Sequence, residues 1–113
     1  SQKTIPAVNI NETNDAYEFT MAAPGMDKKD FKINFHDNLL TISSEKEAKN
    51  EDKTKSFKRK EYSYKSFTRR FMLPKDVADI GNINAKYENG ELYIEIPKKE
   101  EAKPQEPREI KIK

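Results

Sequence analysis

Few residues in this chain are of a kind that makes or breaks covalent bonds. Cysteine is absent, which excludes disulfides, thiolate nucleophiles and Cys-ligated metals. His36 is the single histidine. It stands beside Asp37 at the end of an alternating run, where a hairpin histidine is a simpler reading than a catalyst. The 20 acidic residues lie in charged stretches, with no pair set apart in surroundings that would drive their pKa values apart. One histidine and no cysteine make no metal site. The G-x-x-x-x-G-K-S/T and G-x-G-x-x-G cradles for phosphate do not occur, nor does G-x-S-x-G. The expectation is a protein that is not an enzyme and has no cofactor.

The chemistry left is non-covalent. Arg69 shares the parity of Phe67 and Phe71, so it faces the apolar side of its strand, where a charge is costly unless paired. A carboxylate partner is the expectation. Ile110-Lys111-Ile112 ends a polar tail; two isoleucines without a core of their own either dangle or dock in a groove as an added strand. Lys55, Lys58, Arg59, Lys60, Arg69 and Arg70 interleave with Phe57, Tyr62, Tyr64 and Phe67, a mixture able to stack on single-stranded nucleic acid. The chain as a whole carries 22 basic and 20 acidic residues, a net charge of +2. A nucleic-acid binder concentrates positive charge, so this option is the weakest.

Short runs with a two-residue period must position these groups. Val8 and Ile10; Tyr17, Phe19 and Met21; Phe31, Ile33 and Phe35; Leu40 and Ile42; Phe67, Phe71 and Leu73; Ile83, Ala85 and Tyr87; and Leu92, Ile94 and Ile96 each alternate with other residues. That is the pattern of half-buried strands. Asp37-Asn38 and Asn89-Gly90 supply tight hairpins, Pro24-Gly25 a turn and Leu73-Pro74 a strand end. Many short strands at this spacing indicate a sandwich or a barrel. One helical turn is allowed at Lys28–Phe31 or Lys75–Ile80. Residues 46–60 read as a charged loop, although Phe57–Tyr62 could form a strand if given something to pair with. Residues 98–109, rich in Lys, Glu and Pro, read as an extended linker. The division expected is a domain over residues 1–97 and a flexible extension over 98–113. With 34% hydrophobic and 37% charged residues, the core is thin and the coat heavily charged. No run approaches the ~18 apolar residues of a membrane span.

Several segments together resemble the α-crystallin domain of small heat-shock proteins. Ala85 to Leu92 is similar to the family pattern A-x-x-x-n-G-V-L, with Glu91 where valine is usual. Phe67 to Pro74 resembles F-x-R-x-F-x-L-P. Pro24-Gly25 followed by Asp30-Phe31 looks like the family's P-G segment. Leu39 to Ser43 resembles N-x-L-x-I-x-G-E, with Ser44 in place of glycine before Glu45. Ile110-Lys111-Ile112 is similar to the family's terminal I-x-I. The resemblance runs from Pro6 to Ile112. The family's long N-terminal arm is not present ahead of the first strand, so a trimmed or unusually short member is expected.

The resemblance implies an all-β, immunoglobulin-like β-sandwich of two antiparallel sheets with a long strand-bearing dimerisation loop. In bacterial and plant members that loop lends a strand to the partner's first strand. Here it would place Phe57, Lys58, Arg59 and Tyr62 of one chain against Ala7, Val8, Asn9 and Ile10 of the other, with Arg69 near the contact. It also implies a groove between Phe31, Ile33 and Phe35 on one strand and Ile83 and Ala85 on another, shared by clients and by Ile110 and Ile112 of a neighbour. The implied activity is an ATP-independent holdase. Its partners would be copies of itself and partly unfolded client proteins, with no nucleic acid and no membrane, in the cytoplasm. The rival is a co-chaperone module of the CS-domain kind, which shares the sandwich but lacks the long loop and the I-x-I tail.

Overall fold

A computed structural model describes residues 5–45 and 66–113. Seven strands form in the order β1 (Val8–Glu12), β2 (Ala16–Ala22), β3 (Phe31–His36), β4 (Leu39–Glu45), β5 (Ser66–Met72), β6 (Asn84–Glu88) and β7 (Glu91–Pro97). They make two antiparallel sheets, one in the order β1-β2-β7-β6 and the other β3-β4-β5. The fold is therefore the all-β sandwich expected from the alternation and the resemblance.

Turn chemistry sets the register. Asp37 and Asn38 have φ of 51° and 66°, and Asn89 and Gly90 have 51° and 77°. Positive φ at both central positions belongs to the type I′ hairpin, whose twist suits the flanking strands. These turns hold β3 against β4 and β6 against β7, so Ile33 lies opposite Ile42 and Tyr87 opposite Leu92.

The alternation then fills the space between the sheets. Phe19, Met21, Leu92, Ile94 and Ile96 come from the four-stranded sheet; Leu40, Ile42 and Phe67 come from the other. Leu40, Ile42 and Ile96 are fully buried. Phe19 meets Phe71 across the sandwich at 5.4 Å between ring centroids, a tilted contact favourable for aromatic rings. Phe31, opposite Ser44, and Phe67, opposite it on the other side, lie 6.5 Å apart. Ser44 lies between them on β4, and its buried hydroxyl has no hydrogen-bond partner among the described residues.

Two local expectations need adjustment. A 3-10 turn forms at Lys28–Asp30 as anticipated, but the second forms at Ile80–Asn82 rather than across Lys75–Ile80. Asp76 has φ of 60° and Ala78 pairs with Lys98 in an isolated bridge, and neither is compatible with a helical turn there. The extension expected from Lys98 onward begins with anchored residues. Lys98 is only 8% exposed, a 3-10 turn follows at Glu100–Ala102, and Lys103 is half-buried. Beyond it, residues 104–113 have no regular secondary structure and are exposed.

Candidate polypeptide-binding site

Each of β1, β3, β5 and β6 has a strand neighbour on one side only among the described residues. The sandwich thus has two open flanks, and each carries its own chemistry.

On one flank β1 lies beside β5. Register places Val8, Ile10 and Glu12 on the inward face, opposite Met21, Phe19 and Tyr17. Val8 is half-buried, but Ile10 remains 51% exposed, since among the described residues no strand covers its far side. Ala7 and Asn9 are exposed. Arg69 faces inward as its parity requires, opposite the fully buried Ile42. Its Nη1 donates to the Pro6 carbonyl at 2.6 Å, and its guanidinium lies 5.1 Å from the Phe71 ring centroid. The expected carboxylate is not among its described partners. Among the described residues a carbonyl oxygen and an aromatic face accommodate the cation, as a half-buried guanidinium with several donors allows. Phe57, Lys58, Arg59 and Tyr62 lie outside the described residues.

On the other flank β3 lies beside β6. Phe31, Ile33, Phe35, Ile83 and Tyr87 are half-buried against the core. Phe31 and Tyr87 close one end at 5.2 Å between centroids. Tyr87 is pinned there because its hydroxyl donates to the Ala23 carbonyl at 2.6 Å. Ala85 is exposed although it faces inward opposite Ile94, because a methyl group on a terminal strand reaches too little to be covered. Of the five groove residues named from the sequence, Phe31, Ile33 and Phe35 lie on β3, Ala85 lies on β6 and Ile83 stands just ahead of β6, so all five border this flank. Ile110 and Ile112 are 82% and 97% exposed, away from any cleft of their own chain.

A third feature escaped the sequence reading. The Lys98 ammonium, on a side chain only 7% exposed, lies 2.6 Å from the Glu12 carboxylate and 5.1 Å from the Tyr17 ring centroid. Lys98 holds the Glu12 carboxyl below its usual pKa, against an opposing push from partial burial. Burial, followed by the Glu12 charge, raises the Tyr17 hydroxyl. Lys103 donates to Glu100 at 2.7 Å and lies 3.7 Å from Asp15; the Glu100 hydrogen bond is the main cause of its raised pKa. The signal was present in the parity. Lys98 continues the inward series Leu92, Ile94, Ile96, and Glu12 continues Val8, Ile10.

The outer face of the four-stranded sheet has a depression of about 550 Å³ lined by Glu18, Lys86, Tyr93 and Glu95 among others. Its polar groups are occupied with one another. Asn11 donates to Glu18 and Asn84 to Glu95, and Lys86 lies over Tyr93. Among the described residues no group of three or more His, Asp or Glu is placed to hold a metal ion, and no helix is long and apolar enough to cross a membrane.

Comparison with known proteins matches the same architecture. The sequence profile of the Hsp20/alpha crystallin family matches residues 9–113. Small heat shock protein C2 of Rickettsia felis is 42% identical over 109 residues, covering 96% of this chain and 68% of that protein. A 17.4 kDa class I heat shock protein of Arabidopsis thaliana is 38% identical over 99 residues, covering 87% of this chain and 63% of that protein. This chain therefore spans about two thirds of the length of these relatives. Among solved structures, a small heat-shock protein from Xylella fastidiosa superposes with a TM-score of 0.71 at 32% identity, covering 99% of both chains. Heat shock protein 16.0 from Schizosaccharomyces pombe superposes with a TM-score of 0.73 at 30% identity, covering 98% of this chain and 100% of that one.

Proposed function

Because the chain belongs to the Hsp20/alpha crystallin family, we propose that it is an ATP-independent holdase chaperone that keeps partly unfolded proteins from aggregating. The observation that carries this reading is the open β3/β6 flank. Half-buried Phe31, Ile33, Phe35 and Tyr87 stand along an open flank whose terminal strands, among the described residues, still have backbone groups to offer. Partly unfolded chains expose apolar segments and unpaired strand edges, and such a flank takes both by strand addition. Holding requires no bond chemistry. The charged coat keeps a loaded complex dispersed.

Assembly uses the same physics. A partner's strand from residues 56–62 adds to β1 beside Ala7, Val8, Asn9 and Ile10, and the reciprocal exchange closes a two-fold dimer. Arg69 orders this flank by holding the chain just ahead of β1 through Pro6. Ile110 and Ile112 of a neighbour occupy the β3/β6 cleft and tie dimers into larger oligomers. The cysteine-free sequence suits a reducing compartment, and the cytoplasm is the location proposed.

The test is light scattering of a heat-labile enzyme warmed with an equimolar amount of this chain, without nucleotide. Suppressed scattering, unchanged on adding ATP and reduced by Ile33→Asp, is the expected result. Scattering equal to that seen with an inert protein of similar mass would overturn the proposal.

A further inference from the structure

The root of the C-terminal extension is threaded between two other segments. On one side the Lys98 amide donates to the Asp15 carbonyl at 2.8 Å, and the Lys98 ammonium meets Glu12 at 2.6 Å. On the other, the Asp79 amide donates to the Pro97 carbonyl and the Lys99 amide to the Val77 carbonyl, both at 2.8 Å. Lys103 adds a second reach back to Asp15. Glu12 is the last residue of β1, a strand with one strand neighbour among the described residues. A single cation, nearly enclosed and stacked against Tyr17, therefore touches both the end of that strand and the start of the extension.

We infer that Lys98 is an interlock through which the end of β1 and the root of the extension are held or released together. The physical reason is the unequal burial of the pair. The Lys98 side chain is 7% exposed and that of Glu12 53%, so without Glu12 the Lys98 charge is stranded in a nearly enclosed site and its segment is driven toward water, whereas without Lys98 the half-exposed Glu12 loses the contact that ties down the end of β1. If Glu12 swings out with the end of β1, Lys98 loses its counter-ion and the root loosens. If the root lifts, Glu12 loses its cation and the end of β1 frays. Coupling of this kind is reciprocal, because each segment stabilises the other by the same factor. Nothing in the pairing of β1 with β2 alone demands it. On the proposed assembly, on which this consequence rests, a strand seated on β1 and a tail held by a neighbour would each steady the other.

The test uses the full-length chain and peptide-resolved hydrogen exchange at neutral pH. Glu12→Gln alters a half-exposed side chain and should leave the fold intact. Lys98→Met keeps the aliphatic stem over Tyr17. Glu12→Gln should raise exchange across residues 98–103 by about tenfold, and Lys98→Met should do the same across residues 8–17. The double variant should exchange no faster than either single one. Protection of β4 and β7 should not change, which separates release of the interlock from loss of overall stability. Effects confined to the mutated segment, or a double variant equal to the product of the two singles, would overturn the inference. Native mass of the same samples reports on assembly separately. Coupled exchange with unaltered mass keeps the interlock and counts against its link to assembly.

Discussion

Replacing Ile110 and Ile112 together with serine should reduce the protein to dimers. In the single chain these side chains are 82% and 97% exposed, so docking would remove almost two whole isoleucines from water, worth roughly 3–6 kcal/mol in total. Fixing the backbone of residues 110–112 costs about 1–2 kcal/mol per residue, or roughly 3–6 kcal/mol. The two nearly cancel, so one tail alone is a reversible tie. Several tails on one assembly act together, because each further docking is intramolecular. Reach adds a geometric limit. Lys103 is the last anchored residue, and Ile110 lies seven residues on, so at ~3.3–3.6 Å per residue the motif reaches at most about 25 Å. Pro104 and Pro107 keep that span extended. Sizing chromatography with light scattering should show the parent dissociating on dilution and the double-serine variant as a dimer at every concentration. Deleting residues 105–107 shortens the reach by about 10 Å and should have a similar effect with the isoleucines intact. A double-serine variant that keeps the parent's mass throughout would refute the reasoning, as would a parent that is never larger than a monomer.

Three further outcomes are expected. Ser44→Ala removes a buried hydroxyl that has no partner among the described residues and should stabilise the domain by about 1 kcal/mol, read as a higher urea midpoint; an unchanged or lower midpoint would mean that the hydroxyl is satisfied in solution. Arg69→Glu sets a carboxylate against the Pro6 carbonyl that the guanidinium now holds, and should shift the dimer toward monomer on a sizing column; an unaltered dimer would remove Arg69 from the assembly argument. The Glu12 carboxyl is held below the ordinary glutamate value of 4.5 in the folded chain, chiefly by its hydrogen bond with Lys98, so its contribution is fully present above that value and is lost as pH falls through the lower folded one. Exchange protection at residues 98–103 should therefore persist to pH 5 and decline below pH 4.5, and Glu12→Gln should abolish that decline.

The central strands were legible because one face of each is buried and period two leaves no alternative register; β1 and β6, at the sheet edges, bury only part of one face. The hairpins were legible because Asp37-Asn38 and Asn89-Gly90 are among the few pairs that accept positive φ at both positions. Parity marked Phe31, Ile33 and Phe35 as inward-facing, while the expectation of a groove beside them came from the family resemblance. Arg69 was placed on the correct face, but its partner could not be read. Parity gives a side chain's direction, while a backbone carbonyl such as that of Pro6 leaves no mark in residue types. The anchored root of the extension was missed for a related reason. Lys98 and Lys103 belong to a composition that reads as solvated tail, and only the parity running on from Ile96 marks Lys98 as inward.

The two flanks also differ in a way that bears on direction of assembly. An open sheet edge is a hazard unless something restricts what may pair with it. On the β1/β5 flank the inward-facing series carries a charge on each strand, Glu12 at the end of one and Arg69 midway along the other. A strand approaching there must leave the Lys98–Glu12 pair and the Arg69–Pro6 contact in place, which favours a single register and a single kind of partner. On the β3/β6 flank the inward groups are Phe31, Ile33, Phe35, Ala85 and Tyr87, none of them charged. Apolar contact is non-directional, so on the proposed function this flank would accept many sequences, a neighbour's isoleucines and a client's exposed segment alike. A selective flank beside a permissive one would then let identical chains pair in one way while unrelated chains compete for the other. On that reading a tail that docks with little net free energy is an advantage, because a client segment could displace it without any other source of energy.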